Sequence, residues 1–231
     1  MELFSYLEAE MIQGEHSVIS ITGGGGKTTL MISFGEYLKN KGYSVLLTTT
    51  TKVANPKNVD YKADFIFSDE SAVIAHDVKK SESVFYAERS IDVKKWQSPR
   101  LEVLSYLTKC YDVVLIEADG SRGLPLKIHT ERDPVIIKES TGVIGVLGAK
   151  ALNRKAYEVV FGDGSERVVD KAYLEDYLEN DEGIRKGMRD ECNNVIILNS
   201  ADELTNDEIE CINSWNLPIK LASIKKDMIY V

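Results

Sequence analysis

The chain has 231 residues, enough for one α/β domain whose core needs no disulfide or metal staple. Its 28 Lys and Arg against 37 Asp and Glu leave a net charge of -9, spread over short mixed-sign stretches, which argues against a general grip on DNA or RNA. Apolar runs stay well short of the roughly 18 residues a membrane span needs, and the acidic, amphipathic start lacks the basic and apolar regions of a signal peptide, so a soluble, cytoplasmic protein is expected.

In chain order, short apolar runs alternate with amphipathic segments. Ser17 to Ile21 reads as a buried strand, a glycine run follows, and Leu30, Phe34 and Leu38 then mark one face of a helix that Gly42 stops. Further strands are expected at Ser44 to Thr48, Phe65 to Phe67, Ser83 to Tyr86, Asp112 to Ile116, Val143 to Leu147, Val195 to Leu198 and Ile219 to Ala222. Helix starts are legible at Ser98 with Pro99, at Asp170 before a Tyr173/Leu174/Tyr177/Leu178 stripe, and at Thr205 with Glu208 as a capping box. This alternation predicts a mostly parallel, doubly wound α/β sheet with helices on both faces and ligands at the strand carboxyl ends. Residues 1–231 read as a single nucleotide-binding domain with a helical insertion at about 153–189, either a carrier of partner specificity or a solvated cover over the sheet edge. Cys110, Cys192 and Cys211 are far apart, as expected of reduced, partly buried residues rather than a disulfide or zinc framework.

The first chemistry lies in Gly23-Gly24-Gly25-Gly26-Lys27-Thr28-Thr29. Between a strand and a helix, such a run lets successive backbone N–H groups face phosphate oxygens while the helix presents its positive end. Lys27 is then expected on the β- and γ-phosphates, the Thr28 hydroxyl on Mg²⁺ and Thr29 at the α-phosphate. The common loop has a glycine where this chain has Ile21; the compact form resembles the SIMIBI class of P-loop proteins, with Thr22 in place of the extra lysine of Min-type ATPases.

Glu117-Ala118-Asp119-Gly120 follows a core strand, so two carboxylates emerge near the phosphate site and one of Glu117 and Asp119 is expected to face Mg²⁺, with Gly120 near the γ-phosphate. The spacing resembles that of metallocentre-assembly GTPases. Thr48-Thr49-Thr50-Thr51-Lys52 ends the second strand; Thr50 and Thr51 are the metal or water-holding candidates, while Thr48 and Thr49 also suit a strand. Asn199-Ser200-Ala201-Asp202 resembles the guanine-reading Asn-Lys-x-Asp element, in which Asp202 would accept from the base, with Ser200 replacing the lysine.

Together the glycine loop, Thr49-Thr50-Thr51-Lys52, the block Glu117-Ala118-Asp119-Gly120-Ser121-Arg122-Gly123-Leu124-Pro125-Leu126-Lys127, Asp133-Pro134-Val135 and Gly183-Ile184-Arg185-Lys186-Gly187 resemble the YqeC family, described as accessory proteins of selenium-dependent molybdenum hydroxylases. The resemblance implies a role in maturing such an enzyme, with that hydroxylase or its maturation factors as partner and a homodimer as the assembly. The residues themselves imply Mg²⁺-dependent binding and hydrolysis of GTP or ATP, GTP being favoured, with Lys27, Glu117 and Asp119 at the chemistry. Arg122 and Lys127 are expected to meet a γ-phosphate, an anionic cofactor or a partner, and His129 is expected to be solvated. A small-molecule kinase and a non-hydrolysing nucleotide or molybdenum-cofactor binder remain the alternatives.

Overall fold

In the computed structural model, which describes residues 1–90 and 94–231, all eight expected strands lie in one nine-stranded sheet. They are β1 Ser17–Gly23, β2 Val45–Thr49, β3 Phe65–Phe67, β4 Ser83–Tyr86, β5 Val113–Glu117, β6 Gly142–Gly148, β7 Asn193–Asn199 and β8 Lys220–Ser223, with β9 Met228–Ile229 as the ninth. The order across the sheet is β9-β8-β7-β6-β1-β5-β2-β4-β3, and every pairing is parallel except β8 with β9. The helices are α1 Leu3–Met11, α2 Lys27–Asn40, α3 Glu70–Ile74, α4 Leu101–Leu107, α5 Ala156–Val159, α6 Lys171–Glu179 and α7 Asn206–Asn213. From β1 the chain runs out to β2, β3 and β4, returns as β5 beside β1, and then crosses to β6 on the other flank. That reversal makes the carboxyl end of β1 the topological switch point, where an open α/β sheet offers its crevice.

Side-chain parity decides what each strand aims at that crevice. Successive residues of a strand face opposite sides of the sheet. Ile19 and Ile21 of β1, Val113 and Leu115 of β5, and Val195 and Ile197 of β7 pack with Leu30, Phe34 and Leu38 of α2. The alternate residues Val18, Val114 and Ile116 pack with Val103 and Leu107 of α4, and Ile196 and Leu198 with Leu174 and Tyr177 of α6. Glu117 and Asn199, each two residues past an α2-facing apolar residue, therefore emerge on the side where α2 begins.

Asp170 and Thr205 cap their helices as expected, Asp170 accepting from the Tyr173 N–H and Thr205 forming the full capping box with Glu208. The Ser98 start does not form: its hydroxyl donates to the Pro99 carbonyl at 2.7 Å, and α4 opens two residues later with Arg100 at the N-cap and no side-chain cap. The 153–189 segment buries Tyr173, Leu174, Tyr177, Leu178 and Ile184 in a core shared with Leu147, Ile196 and Leu198, so it packs on a sheet face rather than merely screening an edge. Of the cysteines Cys192 is buried, Cys110 half-buried and Cys211 exposed, and all are free. Among the described residues no helix is long and apolar enough to cross a membrane.

Candidate functional site

Beyond β1 the chain turns through glycines into α2. Gly25 has φ +66° and Gly26, the N-cap of α2, has φ +130°, values an L side chain rarely adopts. Space is as restrictive as conformation: a Cβ on Gly25 would lie 2.4 Å from the Gly148 nitrogen, and one on Gly26 2.6 Å from Asn199 Nδ2. The first intrahelical bond runs from the Leu30 N–H to the Gly26 carbonyl at 2.9 Å, so the amides of Lys27, Thr28 and Thr29 precede the ladder and the helix presents its positive end there.

A cavity of about 1020 Å³ opens over this turn, at the upper end of the size of small-molecule sites. Its wall brings together Gly25, Gly26, Lys27, Thr28, Thr29, Glu117, Gly120, Arg122, Asn199 and Asp202, from the carboxyl ends of three different strands and the segments that follow them. Gly23, Gly24, Thr50, Thr51 and Asp119 are not part of that wall.

The two carboxylates after β5 take different places. Glu117 accepts a hydrogen bond from the Thr28 hydroxyl at 2.8 Å, as its parity requires. Burial pushes its carboxyl above the usual carboxylate range, with the Asp119 charge adding to the effect and Lys27 and Thr28 opposing it. Thr28 and Glu117 offer hard oxygen donors, the chemistry Mg²⁺ selects when it arrives with phosphate and keeps part of its water shell. Asp119 is instead fully buried behind the loop. Its Oδ2 accepts from the Gly23 N–H at 2.8 Å and lies 2.6 Å from His129 Nε2, while Oδ1 lies 3.0 Å from Lys27 Nζ, an ion-pair distance without hydrogen-bond alignment. Burial opposes its ionisation, but His129, Lys27 and the Gly23 amide outweigh burial and hold its carboxyl below the usual range. Lys27 itself is buried and donates to the Gly23 carbonyl at 2.6 Å.

His129 is not solvated. It is fully buried, with Nδ1 2.8 Å from the Gly183 carbonyl. The Gly183 carbonyl can only accept, so Nδ1 donates to it, and Nε2 and Asp119 Oδ2 share a second hydrogen bond. Lys127 is likewise buried and committed, donating to the Gly120 carbonyl at 2.8 Å and pairing with Asp133. Of the cations expected on this loop only Arg122 reaches the cavity; its guanidinium stands 5.0 Å from the Phe161 ring centroid and makes no ion pair among the described residues. The threonines serve the backbone: Thr49 donates to the Glu117 carbonyl at 2.9 Å and Thr50 to the Val135 carbonyl at 2.7 Å, fixing the segment that carries Glu117.

Asn199 is a clamp. Its Nδ2 donates to the Gly25 carbonyl at 2.7 Å and its Oδ1 accepts from the Ile224 N–H at 2.9 Å, tying the glycine loop to the loop after β8. Asp202, in the short 3-10 turn Ala201–Glu203 that follows, is half-buried on the cavity wall. We expect Asn199→Ala to destabilise the fold by about 1–3 kcal/mol, because a backbone carbonyl and amide lose their partner, read as a lowered denaturation midpoint with unchanged slope.

Sequence reasoning singled out Lys127 for an anion or partner and left His129 in solvent, and so missed the burial of both. Pro125-Leu126-Lys127-Ile128-His129 does alternate apolar and polar, a strand pattern, and Leu126–Lys127 pairs with Val160–Phe161. Alternation points the polar residues to one face; only the 171–187 segment folding over that face buries them.

The chain matches the sequence model of the YqeC protein family over residues 19–163, which takes in the glycine loop, Glu117 and His129 and leaves Asn199 and Asp202 outside. It is 36% identical over 147 residues to a protein of Escherichia coli (strain K12) whose name is "Uncharacterized protein YqeC", the alignment covering 62% of this chain and 56% of that protein. The chain thus spans just over half the length of this curated relative. With a match over more than half its length, and with Glu117, Asp119 and His129 inside the matched segment, the chain belongs to the YqeC family.

Proposed function

We propose that this cavity binds a nucleoside triphosphate with Mg²⁺ and hydrolyses it, GTP being favoured over ATP, and that the protein serves as an accessory or maturation factor for a selenium-dependent molybdenum hydroxylase. One observation carries the nucleotide reading: Lys27, the amino end of α2 and the Thr28–Glu117 oxygen pair converge on the floor of one cavity at the switch point of the sheet. Lys27 and the first amides of α2 would hold the phosphates, Thr28 and Glu117 would hold Mg²⁺, and Arg122 would meet the γ-phosphate. Bound Mg²⁺ would supply charge neutralisation between the β- and γ-phosphates. The client assignment rests on family resemblance in the Glu117 to Lys127 block. Calorimetric titration of GTP, ATP and molybdenum cofactor onto metal-stripped protein, with and without Mg²⁺, tests the whole reading; no binding of any triphosphate sinks it.

Guanine preference rests on Asp202. An aspartate there accepts from guanine N1 and N2, so Asp202→Asn should move preference from GTP toward XTP, each mismatched group costing roughly 1–3 kcal/mol. Competition among GTP, ATP and XTP on both proteins checks this, and a wild type that prefers ATP removes the guanine assignment.

A small-molecule kinase is the second reading, favoured by charge. In a chain of net charge -9 the cavity wall carries Lys27, Lys52, Lys95, Arg122, Lys150, Arg154 and Lys225 against Glu117, Glu158 and Asp202. Lys52, Lys95 and Lys225 make no ion pair among the described residues, a surplus suited to an anionic acceptor beside the triphosphate. Turnover that requires an added acceptor would favour it over hydrolysis. We also propose a homodimer in which Arg122 reaches across to the partner's nucleotide; sedimentation of a monomer alone, with a triphosphate analogue and Mg²⁺ present, would refute that.

A further inference from the structure

The turn after α6 lies against the glycine loop. A Cβ on Gly23 would stand 2.6 Å from Ile184 Cδ1, and one on Gly145 2.6 Å from Ile184 Cγ1, so buried Ile184 fits over two glycines of β1 and β6. Beside it the Gly183 carbonyl accepts from His129 Nδ1 at 2.8 Å, and the Glu182 carbonyl accepts from the His129 backbone N–H at 2.7 Å. His129 Nε2 in turn is hydrogen-bonded with Asp119 Oδ2 at 2.6 Å, the same oxygen that takes the Gly23 N–H at 2.8 Å. A continuous buried path therefore runs from the 182–184 turn through His129 and Asp119 to Gly23 and Lys27, and Ile184, Gly183, His129 and Asp119 all stay off the cavity wall.

We propose that Asp119 and His129 are positioning residues of the glycine loop, and that they couple occupancy of the loop to the seating of the 182–184 turn. The coupling deepens the proposed triphosphate site and rests on that reading; the positioning role does not. Lys27 Nζ lies 3.0 Å from Asp119 Oδ1, and a phosphate oxygen competes for the same ammonium. Once Lys27 turns to phosphate, the buried Asp119 carboxylate keeps His129 and the Gly23 amide as its partners and leans harder on both. The His129 contact then tightens, and with it the Gly183 and Glu182 carbonyls that hold the ring and its backbone. Linkage makes the effect reciprocal, so a partner that lifts the turn weakens the anchor of the loop.

Residue-resolved hydrogen exchange on the full chain tests this, because three amides report on the path: Gly23 bonded to Asp119, His129 bonded to Glu182, and Gly183 bonded to Asn180. In the nucleotide-free protein His129→Leu should speed Gly23 exchange by on the order of tenfold, and His129→Gln, which keeps one N–H for Asp119, should restore part of the protection. Where His129→Leu fails to fold, Ile184→Ala decides, since it leaves every polar group in place and should also speed Gly23 exchange. A saturating non-hydrolysable GTP analogue with Mg²⁺ should slow His129 and Gly183 exchange about fivefold in the wild type. None of these variants should change the ratio of analogue affinity with and without Mg²⁺, as loss of a metal ligand would. Unchanged Gly23 exchange in folded Ile184→Ala protein, and in His129→Leu protein where it folds, overturns the positioning role. Unchanged exchange at the turn, in protein that calorimetry shows to be loaded, overturns the coupling. Absence of analogue binding counts instead against the nucleotide reading and, by removing the ligand, against the coupling, while Gly23 exchange in the variants still decides the positioning role.

Discussion

Lys27→Ala should weaken triphosphate binding by roughly 10- to 150-fold, the worth of a hydrogen bond to a charged group at about 1.5–3 kcal/mol. From sequence alone the loss would fall on binding with little effect on the fold, because a phosphate-loop lysine sits on an exposed turn. Burial changes that expectation. Lys27 is 5% exposed, donates to the Gly23 carbonyl at 2.6 Å and faces Asp119 at 3.0 Å, so its removal takes a cation from a buried carboxylate as well as from a ligand. Asp119 retains His129 and the Gly23 amide, which keeps the penalty below the ~3–5 kcal/mol of an uncompensated buried charge. The melting temperature should therefore fall together with affinity. Affinity is best compared by calorimetry well below both transitions. A variant that melts lower yet binds GTP and ATP as tightly as wild type would show that Lys27 serves the fold alone.

The strands were readable because each apolar run is short and bounded by turn residues, and β3 and β4 have the expected ends, Phe65–Phe67 and Ser83–Tyr86, although β3 at the sheet edge leaves Phe65 and Ile66 exposed while β4 is buried throughout. The glycine loop was readable because its composition has a physical cause: the φ of +130° at Gly26 favours glycine, and at Gly25 the Gly148 backbone leaves no room for a Cβ. What sequence left open is which of two adjacent carboxylates faces the cavity. Parity along β5 favours Glu117, in phase with Val113 and Leu115, whereas Asp119 lies past the strand end, where the chain direction depends on the loop to Pro134. His129 and Lys127 were opaque for a related reason. Their burial is produced by α6 and the turn after it, more than 40 residues downstream, and local composition carries no trace of that cover. Asn199 was placed correctly at the end of its strand, while its two hydrogen bonds hold the glycine loop and the loop after β8 together.

Glu117→Gln should stabilise the ligand-free protein at neutral pH while removing most of the Mg²⁺-dependent part of triphosphate binding. Glutamine keeps an oxygen for the Thr28 hydroxyl but carries no charge, and in the wild type burial pushes the Glu117 carboxyl above its ordinary value of 4.5, so ionising it costs the folded state. The sign follows from proton linkage. Below the unfolded pKa the carboxyl is protonated in both states and contributes nothing; as pH rises through the folded pKa the native protein loses a proton it holds more tightly than the unfolded chain does, and stability declines. Asp119 has the opposite slope, its stabilisation being present above its ordinary value of 3.8 and lost as pH falls through its lowered folded pKa, but it is common to both proteins and largely cancels in their difference. The advantage of Glu117→Gln should thus be absent near pH 4 and grow toward pH 8, as denaturant titrations at the two pH values would read. Binding moves the other way: with a neutral amide in place of the carboxylate oriented by Thr28, the gain in affinity on adding Mg²⁺ should fall by at least about tenfold, the lower end of what disturbing a metal's ligand set costs. A stability difference that does not vary with pH would mean that Glu117 is ionised at no cost in the fold, and an undiminished Mg²⁺ effect would take the metal away from Glu117 while leaving the hydrogen bond to Thr28 as a purely structural contact.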